Sequence, residues 1–177
     1  AIHYPGKIQK GNTFTGIEEK YGKAAELKGF EKPVWSSEDG PWRGDWPGAL
    51  YLAKTYNRNY LLGQMTKTEI WSPVTSYYDI LPLPGSGLMR ANTPWSGHYE
   101  LQPAIWATAH TTQFVKLGWR YLDSACGFLP GKGSYVTLVS PAGRDFSLVV
   151  ETADAKEPQQ IQLSLAGDFG GKPVYVW

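Results

Sequence analysis

The stretch KPVWSSEDG, residues 32–40, joins a short apolar run to two carboxylates. Short and continuously apolar runs are typical of strands buried on both faces of a parallel sheet. Glu38 and Asp39 then stand where this predicted strand ends. An acidic side chain in that position either lies in solvent or belongs to a functional site.

Strand-like and helix-like segments alternate on both sides of this stretch. Strands are predicted over residues 1–5, 32–38 and 69–74, and helices over residues 16–29, 49–65 and 103–114. The apolar stripe predicted for the second helix consists of Leu50, Ala53, Tyr56, Tyr60, Leu61 and Met65. Regular alternation of this kind indicates a parallel sheet or barrel, where chemistry lies at the carboxyl ends of the strands.

After about Phe114 the pattern changes to short β-rich runs separated by Gly, Pro and Asp turns. These runs cover residues 119–129, 133–141, 145–152, 160–167 and 173–177. Some of them alternate polar with apolar residues, which is typical of antiparallel strands with one solvated face. We therefore predict two domains, an α/β domain over residues 1–116 and part of a β-sandwich over residues 117–177.

Composition narrows the function classes. Eight Trp and eleven Tyr bring aromatic residues to 14% of the chain, against 19% charged residues. This surplus favours a surface that faces carbohydrate or lipid headgroups, with a large aromatic core as the alternative. A net charge of +1 with scattered basic residues does not indicate nucleic-acid binding. No apolar run approaches the roughly eighteen residues that a membrane span requires.

Cofactor and metal chemistry find little support in the sequence. Cys126 is the sole cysteine, so neither an internal disulfide nor a thiolate cluster can form, and a free buried thiol is expected. His3, His98 and His110 lack metal-ligand spacing, and no phosphate-binding loop is present. The chain also begins without Met or a signal-peptide pattern, which predicts a fragment or a processed chain.

Strand geometry separates the two carboxylates. Successive side chains of a strand point to opposite faces, so Glu38 and Asp39 cannot act together across one substrate bond. Glu38, beside Trp35, is a candidate nucleophile or acid/base, with a solvated strand-end acid as the alternative. Asp39 is then expected to orient the following loop or to pair with Arg43.

Other candidate residues lie at the ends of the neighbouring predicted strands. His3 and Tyr4 end the first strand and would share a face of a barrel, although a structural hydrogen-bonded histidine is the alternative. Trp71 ends the third strand, where its indole could form the floor of a sugar subsite or pack in the core. The stretch PWSGHY, residues 94–99, predicts loop or hairpin structure, from which His98 could donate to a substrate hydroxyl.

Several motifs together resemble one family. KPVWSSED, NRNYLLGQMT, SYYDILP, PWSGHY and AHTTQF follow in order between HYPG near the start and VVET near residue 151. In this combination the chain resembles the galactocerebrosidase family of retaining glycoside hydrolases. The resemblance implies the C-terminal part of a (β/α)8 TIM barrel followed by an antiparallel β-sandwich. It also implies that Glu38 is the nucleophile and that Trp71 is a wall of the galactose site. Ser37, His3 and Tyr4 are further predicted substrate contacts.

The resemblance has three departures. The family's acid/base glutamate belongs to a WNE motif, which does not occur here, so this role is expected to fall outside the chain. Leu83 stands where the family has a tyrosine. No arginine in residues 153–160 matches the one that the family places after its ET dipeptide. Because of these departures, the resemblance supports cleavage of a galactoside more strongly than specificity for ceramide.

The function implied is hydrolysis of β-galactosyl lipids such as galactosylceramide, by a chain that is inactive alone. The expected partners are the rest of the same enzyme and a lipid-presenting activator protein, without a cofactor, a metal or nucleic acid. The resemblance implies a lysosomal location, with a secreted homologue as the alternative. A non-catalytic carbohydrate- or lipid-binding module and a structural subunit of a larger assembly remain the alternative functions.

Overall fold

The computed structural model describes residues 1–3, 7–10, 13–16, 31–78, 80–81 and 85–177. Its strands are β1 Ile2–His3, β2 Lys7–Lys10, β3 Thr13–Gly16, β4 Val34–Asp39, β5 Met65–Ile70, β6 Val74–Ser76, β7 Met89–Ala91, β8 Glu100–Leu101, β9 Arg120–Tyr121, β10 Gly127–Phe128, β11 Ser134–Val139 and β12 Phe146–Glu151. Its α-helices are α1 Trp46–Gly63 and α2 Pro103–Thr112. Apart from Gly16, the helix predicted over residues 16–29 lies outside the described residues, and so do Tyr4 and Leu83.

A three-stranded parallel sheet, in the order β1-β4-β5, carries the α/β part of the chain. Helix α1 connects β4 to β5, as parallel neighbours require a crossover connection. The strand predicted over residues 32–38 is confirmed, and so is the last helix. The sequence did not predict the antiparallel pair β2–β3 that precedes them. The described part of the chain is therefore mixed α/β, with a three-stranded parallel sheet.

Helix α1 starts earlier than predicted because its N-terminus is capped. Asp45 adopts an extended conformation and accepts a hydrogen bond from the Gly48 N–H at 3.1 Å, while Pro47 occupies the first turn. The helix ends at Gly63, and the next residue, Gln64, caps it in a left-handed conformation. These two signals define the helix more closely than its hydrophobic pattern does.

The predicted apolar stripe of α1 is wrong at several positions. Leu50 is 45% exposed, and Met65 is the first residue of β5 rather than part of the helix. The buried residues of α1 are Gly48, Ala49, Leu52, Thr55, Asn57, Asn59, Tyr60 and Gly63. Polar residues are among them because α1 packs against three neighbours, namely the parallel sheet, α2 and the antiparallel sheet.

The third strand was also misplaced. It runs from Met65 to Ile70, whereas residues 69–74 had been predicted, and Trp71 follows directly after it. Thr66, Lys67, Thr68 and Glu69 are all polar, so a search for continuous apolar residues does not find this strand. Val74 starts the separate small sheet β6–β7–β8.

Residues after Phe114 form one antiparallel sheet, in which β11 pairs with β9, β10 and β12. The strands predicted over residues 160–167 and 173–177 are wrong. Residues 152–177 contain a 3-10 turn at Gly167–Phe169 and no strand, so the described residues provide a single sheet where a sandwich requires two. This sheet packs on α1 through Tyr60, Val136 and Leu138, and the Tyr60 and Tyr121 rings stack at 3.6 Å.

A second apolar cluster joins the two helices. Ala49 and Leu52 of α1 pack against Ala104 of α2, and the Tyr56 hydroxyl bonds the Thr108 hydroxyl at 2.9 Å. The Cys126 thiol is free and partly buried near the other cluster, and burial raises its pKa. Neither described helix is long and apolar enough to cross a membrane, and no group of His, Cys, Asp and Glu in the described residues could hold a metal ion.

Candidate active site

The carboxyl edge of the parallel sheet brings the main candidates together. Glu38 is the penultimate residue of β4, and Trp71 follows the last residue of the neighbouring strand β5. On the other side of β4, His3 of β1 is the register partner of Glu38. Ends of adjacent parallel strands lie at one edge of a sheet, which is where catalytic side chains of α/β barrels are placed.

A bulge in β4 separates the two carboxylates. Between Ser36, paired with Thr68, and Asp39, paired with Ile70, the strand contains one more residue than β5. Ser36 and Asp39 therefore share the buried face although they are three positions apart. Ser37 and Glu38 occupy the bulge and are partly exposed. The two carboxylates therefore lie in different surroundings, while their roles remain predictions.

Asp39 is a buried anchor for the edge. It is fully buried, and its Oδ2 accepts hydrogen bonds from the Ser36 hydroxyl at 2.5 Å and from Asn59 Nδ2 at 3.0 Å. Asn59 also donates to the Thr68 hydroxyl at 2.9 Å, which links β4, α1 and β5. A buried carboxylate requires such donors, because desolvation without them is costly.

The predicted pairing of Asp39 with Arg43 is wrong. Arg43 Nη2 instead bonds Asp45 Oδ2 at 2.6 Å, and the guanidinium holds the pKa of that carboxyl below its usual range. The reason is local, since Asp45 is already fixed two residues away as the cap of α1. Asp39 and Arg43 thus serve different elements.

The loops after β4 and β5 are in close contact behind Glu38. The Trp71 N–H donates to the Asp39 carbonyl at 2.8 Å. A Cβ at Gly40 would lie 2.5 Å from the Trp71 carbonyl oxygen, so this backbone approach requires glycine. Trp71 is thereby fixed beside the end of β4, and its side chain stays 42% exposed.

The sheet face opposite the α1 side carries an aromatic residue and a cation. Trp35 is 42% exposed, and Lys67 Nζ of β5 lies 4.4 Å from the centroid of its ring. Lys67 is also paired with Glu69 at 2.6 Å. An exposed indole on the face that leads to Glu38 is suited to contact with an apolar sugar surface.

The remaining candidate residues lie in different places, and one of them is outside the described residues. His3 is placed beside Glu38 along the backbone, Ser37 lies in the bulge, and Tyr4 is outside the described residues. His98 lies in the small sheet's loops, after a 3-10 turn at Pro94–Ser96, in agreement with the predicted loop structure. Asn59 was missed, although Asn is unfavourable inside a helix, and two asparagines in the NRNY stretch therefore signal side-chain hydrogen bonds.

The part of the chain that contains this edge matches a known protein family. Residues 1–113 match glycosyl hydrolase family 59 over more than half of the chain. The chain belongs to this family. The matched part includes β1, β4, β5 and both helices, and therefore the entire edge that carries Glu38 and Trp71.

Relatives within the family are named galactocerebrosidases. The dog protein (Canis lupus familiaris) is 42% identical over 88% of this chain, the zebrafish protein (Danio rerio) 41% over 91%, and the human protein 39% over 90%. The chain spans about a fifth of the length of each, namely 21%, 22% and 21%. The resemblance to the galactocerebrosidase family expected from the motifs is confirmed.

Proposed function

We propose that this chain supplies the nucleophile of a retaining β-galactosidase acting on galactosyl lipids such as galactosylceramide. The observation that carries the proposal is the placement of Glu38 in a bulge at the carboxyl edge, beside Trp71, while Asp39 is committed to Ser36 and Asn59. Asp39 thus serves the strand end, and the chemistry is assigned to Glu38, which membership in a glycosyl hydrolase family supports.

The proposed mechanism is a double displacement. A Glu38 oxygen attacks the anomeric carbon of galactose, and the bond from that carbon to the leaving oxygen breaks as a general acid protonates the oxygen. Water then attacks the galactosyl ester with the same acid acting as base, which releases galactose and restores Glu38. Trp71 would support one face of the galactose ring.

The second carboxylate must come from elsewhere in the protein. Retaining enzymes hold their two carboxyl groups about 5–5.5 Å apart. Asp39 lies on the buried face and is not the partner, and the chain contains no WNE motif. We propose that further strands complete a (β/α)8 barrel, that they bring the acid/base to Glu38, and that this chain alone is inactive.

Partners and location follow as parts of the same proposal. A galactosyl lipid held in a membrane or micelle is not freely accessible to an enzyme, so a lipid-presenting activator protein is a suitable partner. We propose a lysosomal location on the basis of the family resemblance. No metal or cofactor is needed for the two displacement steps, which use carboxyl groups and water.

Substitution of the nucleophile tests this proposal. In the full-length protein that carries this chain, Glu38→Gln should lower turnover of a β-galactoside by at least about a thousandfold, as loss of a nucleophile does in other enzymes. Folding should stay near normal, because Glu38 is partly exposed. Glu69→Gln, an exposed carboxylate change on the next strand, is the matched control. Wild-type rates in Glu38→Gln would overturn the nucleophile assignment.

A further inference from the structure

A cleft in the loops beyond Trp71 remains unused by the proposed mechanism. It has a volume of about 370 Å³ and is lined by Tyr77, Tyr78, Asn92 and His98. This volume lies within the range of small-molecule sites, which combine apolar walls with a few placed polar groups. Its residues come from two motifs, SYYDILP and PWSGHY, that sequence alone left unconnected.

The two tyrosines are held in place by polar contacts. The Tyr78 hydroxyl donates to Asn92 Oδ1. The guanidinium of Arg90 lies 4.5 Å from the Tyr77 ring centroid and bonds Glu100, and the nearby Tyr77 hydroxyl lowers the pKa of the Glu100 carboxyl. A rigid aromatic wall loses little conformational entropy when a ligand binds to it.

Two donors of the cleft are available for a ligand. Because Asn92 Oδ1 accepts from Tyr78, its Nδ2 group is directed to other acceptors. Within the described part of the chain, no side chain hydrogen-bonds the His98 imidazole, which helps lower the pKa of Glu100, and its backbone N–H bonds Ser96. The cleft therefore offers ring faces for CH surfaces and donors for a carbonyl or hydroxyl group.

The cleft is connected to the edge that carries Glu38 through the loops after β4 and β5. Tyr77 is six residues after Trp71, so the two are at most about 20 Å apart. The Leu88 N–H bonds the Ser72 carbonyl at 3.3 Å, and a Cβ at Gly44 would lie 2.1 Å from the Gly85 carbonyl oxygen. The loops after β4 and β5 thus both contact the segment that supports β7.

We infer that this cleft binds the aglycone of the substrate, namely the amide and hydroxyl groups of a lipid that follow the glycosidic oxygen. The inference rests on the proposed function and assigns Tyr77, Tyr78, Asn92 and His98 to recognition rather than to bond cleavage. Asn92 Nδ2 donates to the amide carbonyl, and the tyrosine rings pack on the adjoining alkyl carbons.

Substrate preference tests the inference. In the full-length protein, Asn92→Ala should lower the ratio of kcat/KM for galactosylceramide to kcat/KM for a nitrophenyl β-galactoside by about tenfold, the effect of one lost hydrogen bond. Tyr78→Phe, which removes the hydroxyl that orients Asn92, should lower the same ratio by about threefold. Leu117→Ala, at a fully exposed residue outside the cleft, is the control and should leave the ratio at the wild-type value. A ratio unchanged by both cleft variants, or an equal loss on both substrates, overturns the inference.

A binding measurement separates this inference from the proposed function. Co-sedimentation of the Glu38→Gln protein with phosphatidylcholine vesicles containing galactosylceramide requires no turnover. Adding Asn92→Ala to that variant should weaken vesicle binding several-fold. Unaltered binding counts against the cleft, whereas full activity of Glu38→Gln counts against the nucleophile and leaves the cleft's binding result in place.

Discussion

At the residue scale, two neighbouring carboxylates at the end of β4 have different surroundings. Asp39 is fully buried and accepts hydrogen bonds from the Ser36 hydroxyl and the Asn59 amide. Glu38 lies partly exposed in the bulge. Asp39 therefore stabilises the strand end, and the proposed function assigns the chemistry to Glu38. Asn59 is central to this stabilisation, because it reaches both Asp39 and Thr68.

Loss of the Asn59 amide should therefore destabilise the protein. Asn59→Ala leaves the buried Asp39 carboxylate without one of its donors, and we expect the free energy of unfolding to fall by about 1–3 kcal/mol. Denaturant titration measures the change. The control is Thr66→Ala at an exposed position of β5, expected within about 0.5 kcal/mol of wild type. An equally small effect of Asn59→Ala would contradict the anchoring role.

Sequence reasoning reached part of this arrangement. The rule that successive strand residues face opposite ways separated Glu38 from Asp39 without a structure. The rule does not predict the bulge, however. The hydrogen-bond partner of Asp39 is Asn59, on a helix twenty residues later, and not nearby Arg43. Short-range charge patterns cannot identify a contact that depends on how a helix packs.

At the element scale, the small sheet β6–β7–β8 supports the cleft through Arg90 of β7 and Glu100 of β8. These residues are register partners on antiparallel strands, and Arg90 Nη2 lies 2.7 Å from Glu100 Oε2. The Tyr77 hydroxyl and the Arg90 guanidinium both lower the pKa of Glu100 from its usual value of 4.5. The pair thus connects two strands and one wall of the cleft.

This carboxylate should make stability depend on pH. A group with a lowered pKa in the folded state contributes stability above its unfolded pKa, and loses it as the pH falls through the folded value. For Glu100 the loss should therefore occur below about pH 4.5. We expect the unfolding free energy of wild type to fall more steeply in that range than that of Glu100→Gln. Denaturant unfolding at neutral and acidic pH provides the test, and parallel pH profiles would contradict it.

Element boundaries show where sequence patterns fail. The strand at residues 34–39 and the helix starting at Pro103 have continuous apolar runs or a proline start, and both were predicted. Strand β5 was placed too late in the chain because its four central residues are all polar. The buried face of α1 was misjudged because three neighbours surround that helix. Periodicity locates one buried face, and it cannot describe an element that is covered on several sides.

At the scale of the whole molecule, α1 joins the parallel sheet to the antiparallel sheet. Asn57 is buried and its Nδ2 donates to the Ser134 carbonyl and hydroxyl at 3.2 Å and to the Val149 carbonyl at 3.4 Å. Nearby, Lys54 pairs with Asp154 at 2.8 Å at the surface, and lowers the pKa of that carboxyl. A buried and an exposed contact thus cross the same interface.

These two contacts should differ in strength. Asn57→Ala removes donors from buried groups of β11 and β12, and should lower the free energy of unfolding by about 1–3 kcal/mol. Lys54→Ala removes a solvent-exposed pair and should cost less than about 1 kcal/mol. Thermal or denaturant unfolding of both variants compares them directly. A larger loss for Lys54→Ala would mean that charge, not the buried amide, holds the interface.

In the C-terminal part, the sequence pattern predicts some strands correctly and others wrongly. Antiparallel strands follow Phe114, where the pattern of the sequence changes. QIQLSL alternates as an edge strand would, yet residues 160–165 pair with no strand in the structure. Alternation states which faces a strand would have, and pairing also requires a neighbouring strand with open backbone groups.

The central claim, that Glu38 attacks galactose, is tested most directly by trapping the covalent intermediate. The full-length protein would be treated with a 2-fluoro-galactosyl reagent, digested, and mapped by mass spectrometry. The account predicts one added galactosyl group, on the peptide that contains Glu38, and none in Glu38→Gln. A label on any other carboxylate, Asp39 included, would contradict it.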